Sequence, residues 1–220
     1  MIDYMQKHMS AARESIEVIL FDLGGVLVEL GGVPKFMEWL GNSMSVDEMW
    51  QRWLGSPTVR RFEIGQATIE EFGVAMVREF GLPVGPEEFI DAFTYWPRAP
   101  YPGVEPLLAS LRDSYRLACF SNNNELHWER IRNGLGLGQY FESSFLSHVS
   151  GRLKPDREAF QFVVSSLGVA PERILFLDDN QLNVDSARSV GLHARRTRGF
   201  AEVVTALEEF GIAARPELLR

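Results

Sequence analysis

The reactive side chains of this sequence stand at the ends of short apolar runs. Asp22 closes "EVILFD" and Ser121 closes "RLACFS", with Asn122, Asn123 and Asn124 behind it. Asp178 and Asp179 close "ILFLDD", and Lys154 lies in "SGRLKPD". Brought to one place, these groups suit phosphoryl transfer, where a protein mainly positions groups and neutralises charge. An Asp carboxylate is an established nucleophile for phosphorus. Clustered carboxylates raise one another's pKa unless a cation compensates. Mg²⁺ does so with one or two carboxylates plus water and phosphate. Ser121 and the backbone N–H groups after it suit phosphate oxygens. Lys154 supplies positive charge.

The elements that must carry these groups follow from hydrophobic pattern. Five short apolar runs, 17–22, 116–121, 143–147, 174–179 and 192–197, read as buried strands. They are continuous rather than alternating, as in a parallel sheet covered on both faces. Helical patterns fill 104–113, 125–135, 156–167, 182–190 and 200–210. Ala159, Phe160, Val163, Val164 and Leu167 share one face, and Gly168 and Gly191 stand where helices should stop. The alternation predicts an α/β fold, a doubly wound, Rossmann-like parallel sheet. In such a sheet all five strand ends lie on one edge, where ligands bind.

Residues 33–97 break the rhythm. They have helical periodicity, four of the five tryptophans and a capping box at Thr68 and Glu71. We read them as a helical cap domain inserted after the first strand. "PRAPYPGVEP" reads as a proline-rich return linker. The expected organisation is a core of 16–32 plus 98–220, a cap of 33–97 and a polar N-terminal extension of 1–15.

The chain carries 22 Lys and Arg against 30 Asp and Glu, a net charge of −8. That is a poor footprint for nucleic acid. Cys119 is the single cysteine, so a cysteine metal site and an internal disulfide are excluded. With no ~18-residue apolar run and no secretory h-region at the N-terminus, the expectation is a cytoplasmic protein with no membrane partner. The sequence leaves the oligomeric state open.

Singly, each candidate has a plainer reading. Asp22 before a glycine pair suits a turn, Asp178 and Asp179 suit helix caps, and Lys154 suits a solvated loop. Four such coincidences on successive strand ends favour a site. "FDLGGVL", "FSNNN", "RLKPD" and "FLDDN", in this order, resemble the four motifs of the haloacid dehalogenase superfamily. The insert resembles that superfamily's C1 cap, and the resemblance spans about residues 16–210. "SNNNELH" and "LDDNQLNVDSA" are similar to a bacterial subgroup that includes a glucose-1-phosphate phosphatase. The phosphatase domain of soluble epoxide hydrolases is another relative by pattern.

The resemblance implies a Mg²⁺-dependent phosphatase acting on a small phosphate ester, with a sugar phosphate as one candidate. Asp22 would be nucleophile and metal ligand, joined by the Gly24 carbonyl and Asp179, with Asp178 bound to the metal or beside it. Ser121 and Asn122 would grip the phosphoryl group, with Asn123, Gly24 and Gly25 lining it. Lys154 would stabilise Asp22 and substrate, and Asn183 would orient a water. The fold would also admit a dehalogenase, or a binding protein that has lost its chemistry.

One departure stands out. Relatives that are phosphatases usually carry an acid where this chain has Gly24. That acid protonates the leaving oxygen and then activates water, help typically worth ~10²–10⁴-fold. Three escapes are open: a good leaving group, another residue reaching in (Glu29 and His127 are the nearest candidates), or slow turnover with a persistent aspartyl-phosphate. Beyond this, "SPTVRRFEIGQ" is a cap segment that could line the substrate pocket, where Arg60 or Arg61 either meets a second anionic or hydroxyl-rich part or is an exposed helix charge.

Overall fold

A computed structural model describes residues 16–213. The extension of 1–15 lies outside them. Seven strands are present among the described residues: β1 Val18–Phe21, β2 Val28–Leu30, β3 Pro97–Pro100, β4 Arg116–Ser121, β5 Ser143–Leu146, β6 Ile174–Asp178 and β7 His193–Arg196. The five apolar runs of the sequence form one parallel sheet in the order β5-β4-β1-β6-β7.

The sheet is buried on both sides because its strands send alternate residues to two cores. Ile19, Phe21, Leu117, Cys119, Leu175 and Leu177 meet the helices Val104–Leu111 and Gly199–Glu209. Val18, Leu20, Ala118, Phe120 and Phe176 meet Ala159, Phe160, Val163 and Leu167 of the helix Arg157–Leu167 and Val184 and Ala187 of Gln181–Ser189. Gly168 ends the first of these helices in the left-handed conformation, at φ 69°, which glycine adopts without a Cβ penalty.

Strand order reverses at β1, which has β4 on one side and β6 on the other. Phe21 aligns with Cys119 and with Leu177. Asp22 therefore emerges level with Asp178 and one residue short of Ser121. This register, and not chain proximity, gathers the reactive residues.

The insert is helical, as its periodicity predicts. Its helices are Val33–Trp39, Val46–Leu54, Pro57–Glu63, Ile69–Phe80 and Pro86–Thr94. They bury a separate aromatic core that includes Phe36, Trp53, Phe72, Phe89, Phe93 and Trp96. Phe62 and Phe72 stack with ring centroids 4.0 Å apart. The Thr68–Glu71 capping box forms, and a second, Ser45–Glu48, starts the helix Val46–Leu54.

Two local expectations are corrected. The stretch read as a linker contains β3, which pairs antiparallel with β2 at Val28↔Pro100 and Leu30↔Pro97. Prolines lack the N–H of a ladder, so the pattern hid a strand that only its partner defines. The helix expected over 125–135 is α-helical at Glu125–Glu129 and then widens into a π turn, Arg130–Gly134. Periodicity does not distinguish a 3.6-residue turn from a wider one over five residues.

The helix Pro57–Glu63 and the turn after it meet the sheet edge at Arg60 and Gly65. Arg60 of the helix Pro57–Glu63 pairs with Asp156 at 3.1 Å, an exposed pair worth at most about 1 kcal/mol. Gly65, at φ +72°, packs against the core so closely that a Cβ would lie 2.5 Å from the carbonyl oxygen of His148. Both the φ and the contact require glycine. Gly65→Ala is expected to lower stability by about 1–3 kcal/mol, read as a lower urea midpoint. An unchanged midpoint would show that this approach is not tight.

Candidate active site

Lys154 is the centre of the site. It is 5% exposed, and its ammonium donates to Asp22 Oδ1 at 2.8 Å, Asp178 Oδ2 at 2.6 Å and the Phe120 carbonyl at 2.8 Å. All three N–H bonds are thus committed. Burial alone would lower its pKa, but the Asp178 and Asp22 carboxylates outweigh burial and hold it above the usual lysine value. Lys154 therefore acts as a fixed positive charge. Its backbone is clasped by Asn122, whose Nδ2 donates to the Lys154 carbonyl at 2.9 Å and whose Oδ1 accepts the Lys154 N–H at 2.8 Å.

Asp178 is fully buried and saturated. Its Oδ1 accepts from Asn180 N at 2.8 Å and from Asn183 Nδ2 at 2.9 Å. Its Oδ2 accepts from Lys154 and from Asn183 Nδ2 at 3.0 Å. Asp22 has Lys154 alone as a side-chain partner, and Asp179 takes no hydrogen bond from another side chain among the described residues. One carboxylate oxygen from each of Asp22, Asp178 and Asp179 can be chosen so that all lie within 4.8 Å of one another. Three carboxylates against one ammonium leave excess negative charge. Burial, offset by Lys154 and reinforced by Asp178 and Asp179, pushes Asp22 up to about 7. Burial and Asp178 raise Asp179 as well. A divalent cation would remove that excess, and the hard oxygens of Asp22 and Asp179 have the free valence to take it. Asp178 stands beside them and, through the bonds it already makes, orients Lys154 and Asn183.

The glycines have distinct places. Gly24 lines the cleft beside Asp22 and Asp179. Gly25 does not line it. At φ +74° a Cβ there would stand 2.8 Å from Asp179 Oδ2, so Gly25 makes room for that carboxylate. Ser121, Asn122 and Asn123 also line the cleft. The backbone N–H of Asn123 is taken by Ser147 Oγ at 2.8 Å, and its Oδ1 accepts from Asn124 N at 2.8 Å, so only its Nδ2 remains for a ligand.

The cleft has a volume of about 410 Å³, room for a small ligand. Its roof comes from the cap: Trp50, Trp53, Leu54, Val59, Arg60, Glu63, Phe93 and Trp96. Trp53 and Trp96 thus serve the cap core and the cleft wall together. Arg60 reaches the cleft but is paired with Asp156. Arg61 points elsewhere, with its guanidinium on the Gln66 carbonyl at 3.2 Å.

The two residues suggested as stand-ins at Gly24 are not available. Glu29 lies off the cleft and approaches Arg98 at 3.8 Å. His127 lines the cleft, but its Nε2 donates to the Phe93 carbonyl at 2.7 Å and its Nδ1 accepts from Asn124 Nδ2 at 3.2 Å. Burial brings its pKa down to about 4, so the ring is neutral and both nitrogens are engaged. Glu63 was missed by the sequence reading. It sits in the segment expected to line the pocket, where Arg60 and Arg61 drew attention as contacts for an anionic or hydroxyl-rich part.

Residues 16–191 match the family described as haloacid dehalogenase-like hydrolase. Phosphoglycolate phosphatase 1 of Pseudomonas aeruginosa is 28% identical over 194 residues, covering 83% of this chain and 70% of the relative. D-ribitol-5-phosphate phosphatase of Bacteroides thetaiotaomicron is 27% identical over 186 residues, 80% and 89% of the two chains. The crystal structure of a family enzyme from Bacteroides thetaiotaomicron, in complex with magnesium and inorganic phosphate, superposes with a TM-score of 0.69 at 26% identity over 83% and 94% of the chains. The match over residues 16–191, most of the chain, shows that the chain belongs to the haloacid dehalogenase-like hydrolases.

Proposed function

We propose that this hydrolase is a Mg²⁺-dependent phosphatase of small phosphate esters, working through an aspartyl-phosphate on Asp22. The observation that carries the reading is the pairing of two underused carboxylates, Asp22 and Asp179, with a saturated Lys154–Asp178 support. Relatives that are phosphatases of phosphoglycolate and ribitol 5-phosphate support the substrate class, and the small cleft agrees with it. A sugar phosphate, including a sugar 1-phosphate with its good leaving group, fits within that class. The carboxylate cluster favours a cation site over the halide chemistry of a dehalogenase. No described helix is long and apolar enough to cross a membrane, and a cytoplasmic setting suits such a substrate.

When bound by Asp22 and Asp179, with the Gly24 carbonyl beside them, Mg²⁺ supplies charge neutralisation to the phosphate oxygens. Asp22 Oδ attacks phosphorus in line with the leaving oxygen, which therefore faces the cap. Ser121 and the Asn122 backbone hold the equatorial oxygens. Lys154 keeps Asp22 oriented by its Oδ1 contact and balances its charge. Asn183 and Asn122 hold the parts that hold Lys154, one through Asp178 and one through the backbone. The cap excludes bulk water and selects the group beyond phosphorus.

The first test is turnover of 4-nitrophenyl phosphate with Mg²⁺ and with EDTA, beside Asp22→Asn. Turnover that requires Mg²⁺ and vanishes in the variant is expected. Equal rates in EDTA, or an active Asp22→Asn, would refute the mechanism. A second expectation concerns stability. Lys154→Met removes the cation between two buried carboxylates, and breaking a buried pair costs about 3–5 kcal/mol. Urea unfolding in EDTA should show that loss, and a wild-type midpoint would mean that the lysine is not what balances the carboxylates.

A further inference from the structure

A phosphate ester with a poor leaving group needs a proton at the leaving oxygen, and the cleft offers few donors. Lys154 has no free N–H, and His127 is neutral with its N–H on the Phe93 carbonyl. Arg60 is tied to Asp156. Asp22 and Asp179 are the groups proposed to meet phosphorus and cation. Among the titratable residues lining the cleft, that leaves Glu63.

Glu63 is the last residue of the cap helix Pro57–Glu63. A carboxylate there is opposed by the helix dipole, so its placement does not serve the helix. It is part-buried, and its carboxylate makes no hydrogen bond or ion pair among the described residues. The helix is held over the site by the Arg60–Asp156 pair and the Gly65–His148 approach. The leaving oxygen, opposite Asp22, points to the same side.

We propose that Glu63 takes the place left by Gly24, as the general acid and then the general base of the reaction. This rests on the phosphatase reading above. In the first half-reaction the Asp22 Oδ–P bond forms and the P–O bond to the leaving group breaks. The electron pair stays on the leaving oxygen, which receives the Glu63 proton and departs as an alcohol. In the second, the Glu63 carboxylate takes a proton from water as the water oxygen attacks phosphorus. The Asp22–P bond then breaks with its electron pair returning to Asp22. Phosphate leaves, and Glu63 is protonated again.

The electrostatics agree. Burial pushes Glu63 up to about 7, against the lowering influence of Lys154 and Arg60 and with that of Asp22. These three, with Asp156 behind Arg60, are the charged groups that face it. The acid form is lost as pH rises through that range, so kcat/KM should fall on its alkaline side.

The test compares 4-nitrophenyl phosphate with phenyl phosphate, which has the same ring and a poorer leaving group, in wild type and Glu63→Gln with Mg²⁺. In the variant, kcat/KM for phenyl phosphate should fall by about 10²-fold and that for 4-nitrophenyl phosphate much less. The alkaline limb near pH 7 should disappear. Gly24→Asp added to Glu63→Gln should restore phenyl phosphate turnover. Its Cβ would lie 3.3 Å from the side chain of Leu30, which is 37% exposed and able to shift. An equal kcat/KM loss on both substrates, an unchanged pH limb or no rescue would overturn the role of Glu63. Wild type inactive on both substrates would instead overturn the phosphatase reading, and the proposal with it.

Discussion

The site depends on one buried ammonium. Lys154 sits between Asp22 and Asp178, and each of the three is affordable inside the protein only because of the others. A lone buried charge costs several kcal/mol after relaxation. Here two carboxylates, a backbone carbonyl and a clasp from Asn122 absorb it. The balance remains incomplete, because Asp179 adds a third negative charge at the mouth. The same imbalance that raises Asp22 and Asp179 is what makes the cluster a cation site. Structural support and chemistry are therefore divided among near neighbours: Asp178 spends its oxygens on Lys154, Asn180 and Asn183, while Asp22 and Asp179 keep theirs.

The cap adds the other half of the active site. Its aromatic core is independent of the sheet, so the cap can hold its shape while its underside faces the cleft. Trp53 and Trp96 do both tasks. The cap is attached by the exposed Arg60–Asp156 pair, the close approach at Gly65, the His127–Phe93 contact and the β2–β3 ribbon at the chain crossings. Substrate entry and alcohol release would require the cap to part from this edge. The group that the cap contributes to chemistry would be absent from the site whenever the cap is open.

This arrangement offers a physical answer to the glycine at position 24. An acid two residues after the nucleophile would sit on the core and stay there. An acid on the cap arrives only with closure, and it can be held protonated by burial instead of by a fixed partner. Chemistry would then be coupled to closure over a bound substrate.

Much of this was legible in the residues alone. The five strands could be read because each is a short continuous apolar run, and parallel topology follows from their alternation with helices. Asp22, Ser121, Asp178 and Asp179 at the ends of apolar runs, with Lys154 in the loop after another, stood out because they occur together in one order. The helical insert was legible from its periodicity and its Thr68–Glu71 box. What the residues could not convey is which atoms are already engaged. The saturation of Asp178, the Asn122 clasp and the occupied N–H of Asn123 are hydrogen bonds between segments up to 32 residues apart. Ribbon strand β3 has no pattern of its own because prolines fill it. Glu63 carries no local signal either, since a glutamate near a helix end is ordinary. Only the docking of the cap brings it into the cleft that Asp22 lines, and that is decided by packing across distant parts of the chain, at Arg60 with Asp156 and Gly65 with His148.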